Sequence, residues 1–153
     1  MKYENICKHY NYTIINSDYF DSAIPIRDVD LLLPEFYNML VFCFNEYQKK
    51  YPNQKVYITE TYRSNILQQK YFKQGKSKIR NNGMHHFGIA VDVAFFINDK
   101  MSYKGDYNFL RRIFNENKLT VLDWELGHVQ FIPVSEQNAL RKEIDNWKIE
   151  NEE

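Results

Sequence analysis

The segment GMHHFGIAVD (83–92) places two adjacent histidines close to an aspartate that lies within an apolar run. A carboxylate buried without a partner is costly, and it would take up a proton rather than stay charged. A metal cation beside Asp92 would remove that cost. Gly88 allows a tight turn between His85 and Asp92, which would bring the two side chains to one point. The segment therefore predicts half of a metal site.

A second segment, DWELGHVQF (123–131), supplies the other half of the site, because Glu125 lies three residues before His128 there. In an uninterrupted strand the two side chains would point to opposite faces, and Gly127 suggests a bulge or kink that returns Glu125 to the side of His128. Two imidazoles and one carboxylate, with a fourth position open for water, are the ligand set of a catalytic zinc ion. Zinc lowers the pKa of bound water to about 7, and Glu125 has the chemistry of the base that takes the proton. The sequence thus predicts one zinc ion held by His85, Asp92 and His128.

The elements that must position these side chains follow from the apolar pattern. Strands are predicted at 56–62, 89–97 and 126–133, where β-branched and apolar residues alternate or run continuously. Helices are predicted at about 31–50, at 65–74, after a cap at Asp106, and at about 135–149. Helices separate the strands without βαβ regularity, so we expect an α+β fold with a small, mainly antiparallel sheet packed with helices. Residues 1–153 should form a single catalytic domain, with its motif-bearing core at about 56–133 and the zinc cleft on the sheet.

The combined pattern H-x-x-G-x-A-x-D followed by E-x-x-H resembles the zinc D-alanyl-D-alanine carboxypeptidase and L-alanyl-D-glutamate endopeptidase family. That family includes phage endolysins, which cut the stem peptides of bacterial peptidoglycan. The residues that carry the pattern are His85, Gly88, Ala90, Asp92, Glu125 and His128. Upstream, TYRSNILQQ (61–69) resembles the Y-R-S segment of the family and the glutamine-bearing helix that follows it. Both halves of the pattern, in order and preceded by Y-R-S, make a specific match.

The resemblance implies a role for each matching residue. It makes His85, Asp92 and His128 the zinc ligands and Glu125 the general base. It also implies that Arg63 faces the substrate carbonyl as this group becomes an oxyanion, and a fixed guanidinium suits that role because it stabilises developing negative charge. A plain surface salt bridge is the alternative interpretation of Arg63.

Other residues near the motifs are candidate substrate contacts, namely Ser64, Gln68, His86 and Trp124. His86, which adjoins a predicted ligand, is interpreted first as a structural residue or one at the rim of the cleft. One position departs from the family pattern: Gly83 stands where members often carry a serine. Any hydrogen bond from that hydroxyl is absent here, which affects specificity rather than the metal site.

The favoured function is a zinc metallopeptidase that hydrolyses peptidoglycan stem peptides, as a bacteriolytic L-alanyl-D-glutamate endopeptidase of the endolysin type. An alternative within the same class is a D-alanyl-D-alanine carboxypeptidase or dipeptidase. A third possibility is a non-catalytic protein that holds zinc structurally or binds peptide without turnover. Glu125 and the open fourth position favour the enzyme, because structural zinc sites are usually closed by four protein ligands.

Composition limits the partners of the chain. Its 20 basic and 20 acidic residues balance, so neither a nucleic acid nor an anionic membrane is expected as a partner. No apolar run approaches the roughly 20 residues of a membrane helix. The first residues lack a basic segment followed by an apolar one, so we expect no export signal and synthesis in the host cytoplasm. By resemblance, the protein would act as a monomer on the cell wall after release through a holin.

Overall fold

Five strands form one antiparallel sheet in the computed structural model, which describes residues 1–151 and the side chains of residues 1–147. The strands are β1 (Gln54–Glu60), β2 (Ala90–Ile97), β3 (Lys100–Ser102), β4 (Thr120–Leu122) and β5 (Glu125–Gln130). Their order is β1-β2-β5-β4, and β3 forms a hairpin with the end of β2. The predicted α+β class with a small antiparallel sheet is confirmed. The last two residues of the predicted domain lie outside the described range.

The α-helices of the described chain are α1 (Glu4–His9), α2 (Pro34–Lys50), α3 (Asn65–Lys73), α4 (Tyr107–Glu116) and α5 (Gln137–Asn151). Two of them begin later than the sequence predicted. The helix expected from about residue 31 begins at Pro34, because a proline disfavours helical backbone in the residue before it and fits well in the first turn. The helix expected from about residue 135 begins at Gln137, after a short 3-10 turn at Val134–Glu136.

The N-terminal region carries structure that the sequence pattern did not predict. Helix α1 continues into one π-helical turn at Tyr10–Ile14, and both end residues of this turn are buried. The short strands β3 and β4 were also missed. Each is three residues long, too short for a clear alternating pattern.

The sheet is centred on β2, whose residues Ala90, Val91, Ala94 and Phe95 are completely buried. Helix α2 packs against β1 and α4, and it buries the face formed by Phe36, Leu40, Cys43 and Tyr47. Full burial of a large apolar side chain contributes about 1.5–3 kcal/mol, so this face anchors the helix to the sheet. The rigid centre of the sheet is therefore also the element that carries Asp92. Within the described residues, we find no helix with the length and hydropathy needed to cross a bilayer.

Candidate metal centre

Three side chains from separate parts of the sequence meet on one side of the sheet. One potential ligand atom from each of His85, Asp92 and His128 lies within 4.8 Å of the others. Asp92 Oδ1 is 3.4 Å from His85 Nε2 and 3.4 Å from His128 Nδ1. Both histidine side chains are buried, whereas the Asp92 side chain is 30% exposed, so the cluster opens to solvent on the side of the carboxylate.

The turn between His85 and Asp92 depends on glycine. A 3-10 turn at Met84–Phe87 ends at Gly88, which adopts a left-handed φ of 71°. A Cβ on Gly88 would lie 2.3 Å from the carbonyl oxygen of Leu31, so a side chain there is excluded by packing as well as by backbone conformation. The tight turn that the sequence suggested is present, and it leads directly into β2.

Hydrogen bonds to backbone and amide oxygens fix which nitrogen of each histidine faces the cluster. His85 Nδ1 donates to the carbonyl oxygen of Thr61 at 2.9 Å, so its Nε2 carries the lone pair. The amide nitrogen of Gln130 donates to the carbonyl oxygen of Ile132 at 2.9 Å, which turns the amide oxygen of Gln130 towards His128. His128 Nε2 then donates to that oxygen at 2.9 Å, and its Nδ1 carries the lone pair. Such partners are typical of histidines that bind metals.

The two lone pairs have no hydrogen-bond partner among the described residues. His85 Nε2 and His128 Nδ1 are both buried and unsatisfied, although buried polar atoms are nearly always bonded. Both nitrogens face a carboxylate oxygen, so three acceptors meet with no donor between them. A cation satisfies all three at once. Two imidazole nitrogens and one carboxylate oxygen are a ligand set compatible with zinc.

The pKa values of Asp92 and His85 also indicate a site that attracts a cation. Burial by itself would raise the pKa of Asp92, but the two adjacent imidazoles, above all the charge that His85 carries when it is protonated, bring this pKa well below its usual range. Burial by itself would lower the pKa of His85, yet the Asp92 carboxylate raises that pKa above its ordinary value. The cluster therefore attracts positive charge, whether as a proton or as a metal ion.

Glu125 lies beside this cluster at the start of β5. Its Oε2 is 3.4 Å from His128 Nδ1, and its side chain is 52% exposed. The pairing of β4 with β5 runs regularly to Val121 opposite Val129 and then skips to Leu122 opposite Glu125. This irregularity includes Gly127, as the sequence suggested, and it brings Glu125 to the same side as His128. A Cβ on Gly127 would lie 2.7 Å from the carbonyl oxygen of Val93, so the close approach of β5 to β2 requires glycine there.

Arg63 follows β1 and reaches the cluster from the opposite edge. Its Nη2 lies 3.6 Å from Asp92 Oδ2, and its side chain is 15% exposed. Its hydrogen-bond partners are the carboxylate of Glu60 and the amide oxygen of Gln68. Burial by itself would lower the pKa of Arg63, but the hydrogen bond to Glu60 and the charge of Glu60 outweigh burial and raise this pKa above its ordinary value. The side chain is therefore a cation. This is a buried ion pair beside the candidate metal centre and not a surface salt bridge.

The four candidate substrate contacts occupy different environments. Ser64 caps α3 by accepting a hydrogen bond from the backbone nitrogen of Leu67 at 3.0 Å, and it is buried. His86 is buried too, with Nε2 bonded to Tyr10 Oη at 2.8 Å and Nδ1 near the carbonyl oxygen of Arg63. Direct contact of these two side chains with a substrate gains no support from their placement.

Gln68 and Trp124 lie at the cleft itself. The Gln68 amide is engaged at both ends inside the protein, whereas Trp124 is 72% exposed. Two cavities flank the metal cluster in this part of the molecule. One, of about 90 Å³, is lined by residues that include Gln68 and Trp124, and the other, of about 380 Å³, by residues that include Tyr103 and Leu126. Glu125 and His128 line both cavities, so both open beside the cluster.

Sequence reasoning missed Glu60 and Gln130 as site residues. Gln130 was within reach, because strand alternation places it on the same face as His128. Glu60 could not be predicted as a site residue, because its position depends on an irregular pairing of β1 with β2.

Comparison with known proteins adds a structural likeness. No family model matches the sequence, and no curated protein matches it. The L-Ala-D-Glu endopeptidase ChiX of Serratia marcescens has a similar structure, with a TM-score of 0.51 and 17% sequence identity over 66% of this chain and 80% of that chain. The vancomycin-resistance D,D-dipeptidase VanXYg, solved with a D-Ala-D-Ala phosphinate analogue, gives a TM-score of 0.45 and 14% identity over 84% and 68% of the two chains. At such identities the likeness to ChiX shows a shared fold and no more.

Proposed function

We propose that this chain is a zinc metallopeptidase that hydrolyses peptidoglycan stem peptides, and that it cleaves the L-alanyl-D-glutamate bond as a phage endolysin. The observation that carries the proposal is the convergence of two unsatisfied imidazole nitrogens and the Asp92 carboxylate next to Glu125. The fold shared with an L-Ala-D-Glu endopeptidase supports the choice of substrate.

In this proposal the zinc ligands are His85 Nε2, His128 Nδ1 and the Asp92 carboxylate. When bound, the ion supplies a Lewis acid that polarises a carbonyl group and makes water acidic enough to react near neutral pH. The protein fixes the three ligands before any ion arrives, because hydrogen bonds hold both rings and β2 holds the carboxylate. Such preorganisation reduces the cost of binding.

Glu125 is the proposed general base. Its Oε2 lies beside the cluster and its carboxylate is open to solvent, so it can accept a proton from the attacking water and pass it to the leaving amine. Arg63 is proposed to donate to the substrate oxygen as negative charge develops there, which lowers the barrier if the guanidinium is already in place. Its 3.6 Å separation from Asp92 supports this, because the guanidinium lies next to a proposed zinc ligand.

The two cavities favour an endopeptidase over a dipeptidase. Cavities lie on both sides of the metal cluster, so a peptide can continue in both directions from the bond that is cut. Trp124, at the rim, offers an exposed aromatic surface to such a chain. A dipeptidase, in contrast, holds only a small substrate and has no use for space on both sides of the metal.

The test is digestion of purified peptidoglycan by the zinc-loaded protein, followed by mass spectrometry of the products. We expect muramic acid that carries a single L-alanine. Glu125→Gln should abolish the products, whereas Glu116→Gln, a matched change at an exposed glutamate of α4, should not. Release of D-alanine would instead identify a carboxypeptidase, and the absence of any cleavage would leave a zinc- or peptide-binding protein.

The biological setting is part of the proposal and rests on the sequence resemblance. The protein would be made in the host cytoplasm, act as a monomer and reach the wall through a holin. Expression in a bacterial host should therefore cause lysis only when a holin is produced as well, and Glu125→Gln should prevent that lysis.

A further inference from the structure

The strand β1 carries a bulge next to the candidate metal centre. Its pairing with β2 runs regularly as far as Ile58 opposite Val93, and then Glu60 lies opposite Asp92, so Thr59 is one residue too many. Regular alternation would have placed Thr59 opposite Asp92. Residues directly opposite one another in an antiparallel pair point to the same face, so the bulge turns Glu60 to the face of Asp92. Bulges that re-aim a side chain are common beside active sites.

Two carboxylates on one face would repel each other, and Arg63 lies between them. Glu60 is buried, with 6% of its surface exposed. Its carboxylate accepts hydrogen bonds from Arg63 Nε at 3.1 Å and from Arg63 Nη2 at 2.5 Å. This is the two-pronged geometry in which a guanidinium is held in one orientation. Arg63 Nη2 also lies 3.6 Å from Asp92 Oδ2, on the other side.

Further contacts hold Arg63 in place. Its Nη1 donates to the amide oxygen of Gln68 at 3.1 Å, and its Cζ lies 4.9 Å from the centre of the Tyr71 ring. Gln68 is itself fixed, because its amide nitrogen donates to Ser77 Oγ at 2.9 Å and to the carbonyl oxygen of Ile79 at 2.8 Å. The acceptor end of this amide therefore has to face Arg63.

The hydrogen bonds leave part of the guanidinium available. A guanidinium has five N–H groups. Glu60 takes the Nε proton and one on Nη2, and Gln68 takes one on Nη1, so one N–H on each terminal nitrogen has no hydrogen-bond partner among the described residues. An arginine side chain that is free samples many rotamers, whereas the bonds to Glu60 and Gln68 favour a single orientation of this one. Donors fixed in advance are the ones that stabilise a transition state.

We propose that Glu60 is a positioning residue which, together with Gln68, holds Arg63 beside Asp92 so that its two remaining N–H groups serve the substrate oxygen. This inference rests on the proposed function. It differs from the structural alternative, in which Arg63 is present only to neutralise the buried Glu60. In that alternative the loss of Glu60 would affect folding, and any effect on kcat would not depend on Arg63.

The kinetic test is a double-mutant cycle on the zinc-loaded protein with a soluble stem-peptide substrate. Glu60→Gln places an amide N–H against a guanidinium N–H, so we expect kcat to fall by about tenfold or more with little change in KM or in zinc content. In an Arg63→Ala background the same change should have no further effect on kcat, because Glu60 acts through Arg63. Glu35→Gln, at an exposed glutamate, is the control. An equal loss of kcat in both backgrounds would overturn the proposal.

A second measurement does not depend on activity. In metal-free protein labelled with ¹⁵N, the Nε–H signal of Arg63 should exchange slowly with water, and Glu60→Gln should speed that exchange by about tenfold or more. Glu60→Asp, which keeps the charge but shortens the reach, should give an intermediate rate. A rate that is the same in wild type and both variants would overturn the proposal. If wild-type protein cleaves no peptidoglycan, the proposed function fails, and the exchange rates still decide whether Glu60 holds Arg63.

Discussion

Asp92 lies directly opposite His128 in the pairing of β2 with β5, and Asp92 Oδ1 is 3.4 Å from His128 Nδ1. The sheet register therefore sets the distance between two of the three candidate ligands. A slip of one residue would turn Asp92 to the other face, because side chains alternate along a strand. His85 joins them from the turn that precedes β2, so its place depends on Gly88.

That dependence gives the first prediction. Gly88→Ala should lower the free energy of unfolding by more than about 2 kcal/mol, because a left-handed alanine is strained and its Cβ would meet the carbonyl oxygen of Leu31 at 2.3 Å. Gly75→Ala is the matched control. Gly75 has a similar φ of 73° but nothing within 4 Å of the added Cβ, so about 1 kcal/mol should be lost. Urea denaturation of both variants checks the difference, and equal losses would contradict the packing argument.

The hydrogen bond that orients His128 gives the second prediction. Gln130→Leu removes the acceptor that holds His128 Nε2, so zinc affinity should fall by about 10- to 100-fold. Titration against a chelator of known affinity measures the change. Gln69→Leu, at an exposed position of α3, should leave the affinity unaltered. A Gln130 variant with wild-type affinity would show that the ring is held by packing alone.

Zinc should stabilise the protein through the same three ligands. At a free concentration of about 100 times Kd, a ligand specific for the folded state adds about 2.7 kcal/mol to the free energy of unfolding. Thermal unfolding with and without zinc should show this shift in wild type, and EDTA should reverse it. His128→Ala should remove the shift. His9→Gln, a change outside the cluster, should retain it, and loss of the shift in both variants would count against a local site.

A pH effect is expected at His9, away from the metal cluster. Burial lowers the pKa of His9 below its ordinary value of 6.5, although a hydrogen bond to the carbonyl oxygen of Leu31 partly opposes this. The neutral form is therefore the one that the fold favours. The stability that this group contributes is complete above pH 6.5 and is lost as the pH falls through the lowered pKa, because the unfolded chain then binds the proton more readily.

The measurement is urea denaturation of zinc-saturated wild type and His9→Gln at several values between pH 8 and pH 5. Wild type should lose more stability than the variant on acidification, because glutamine can replace the donor to Leu31 but does not titrate. Curves that run parallel for the two proteins would show that His9 has an unshifted pKa.

The sequence was sufficient for the residues whose geometry is local. The spacing of His85, Gly88 and Asp92 predicted a turn that leads into a strand, and Gly127 predicted the irregularity in β5. Both follow from the conformation of a few consecutive residues. The β3 hairpin also had a local signal, because the pair Asn98-Asp99 is of residue types that tolerate the positive φ which both adopt in the two-residue loop.

The rest depended on contacts between distant segments. In the sequence, Glu60 is one more residue of an alternating strand. The bulge at Thr59, which depends on the pairing with β2, turns its side chain towards Arg63. The environment of His86 is also non-local, because Tyr10 reaches it from an N-terminal turn that shows no strong periodicity. A single sequence contains no record of such pairings.

The central claim is that His85, Asp92 and His128 bind zinc. A crystal structure of the zinc-loaded protein, with anomalous scattering recorded on both sides of the zinc absorption edge, tests it most directly. We predict a single strong anomalous peak at about 2.0–2.1 Å from both His85 Nε2 and His128 Nδ1 and about 2.0–2.2 Å from an Asp92 oxygen. A peak bound by other residues, or no peak from protein that crystallises with zinc in excess, would contradict the account.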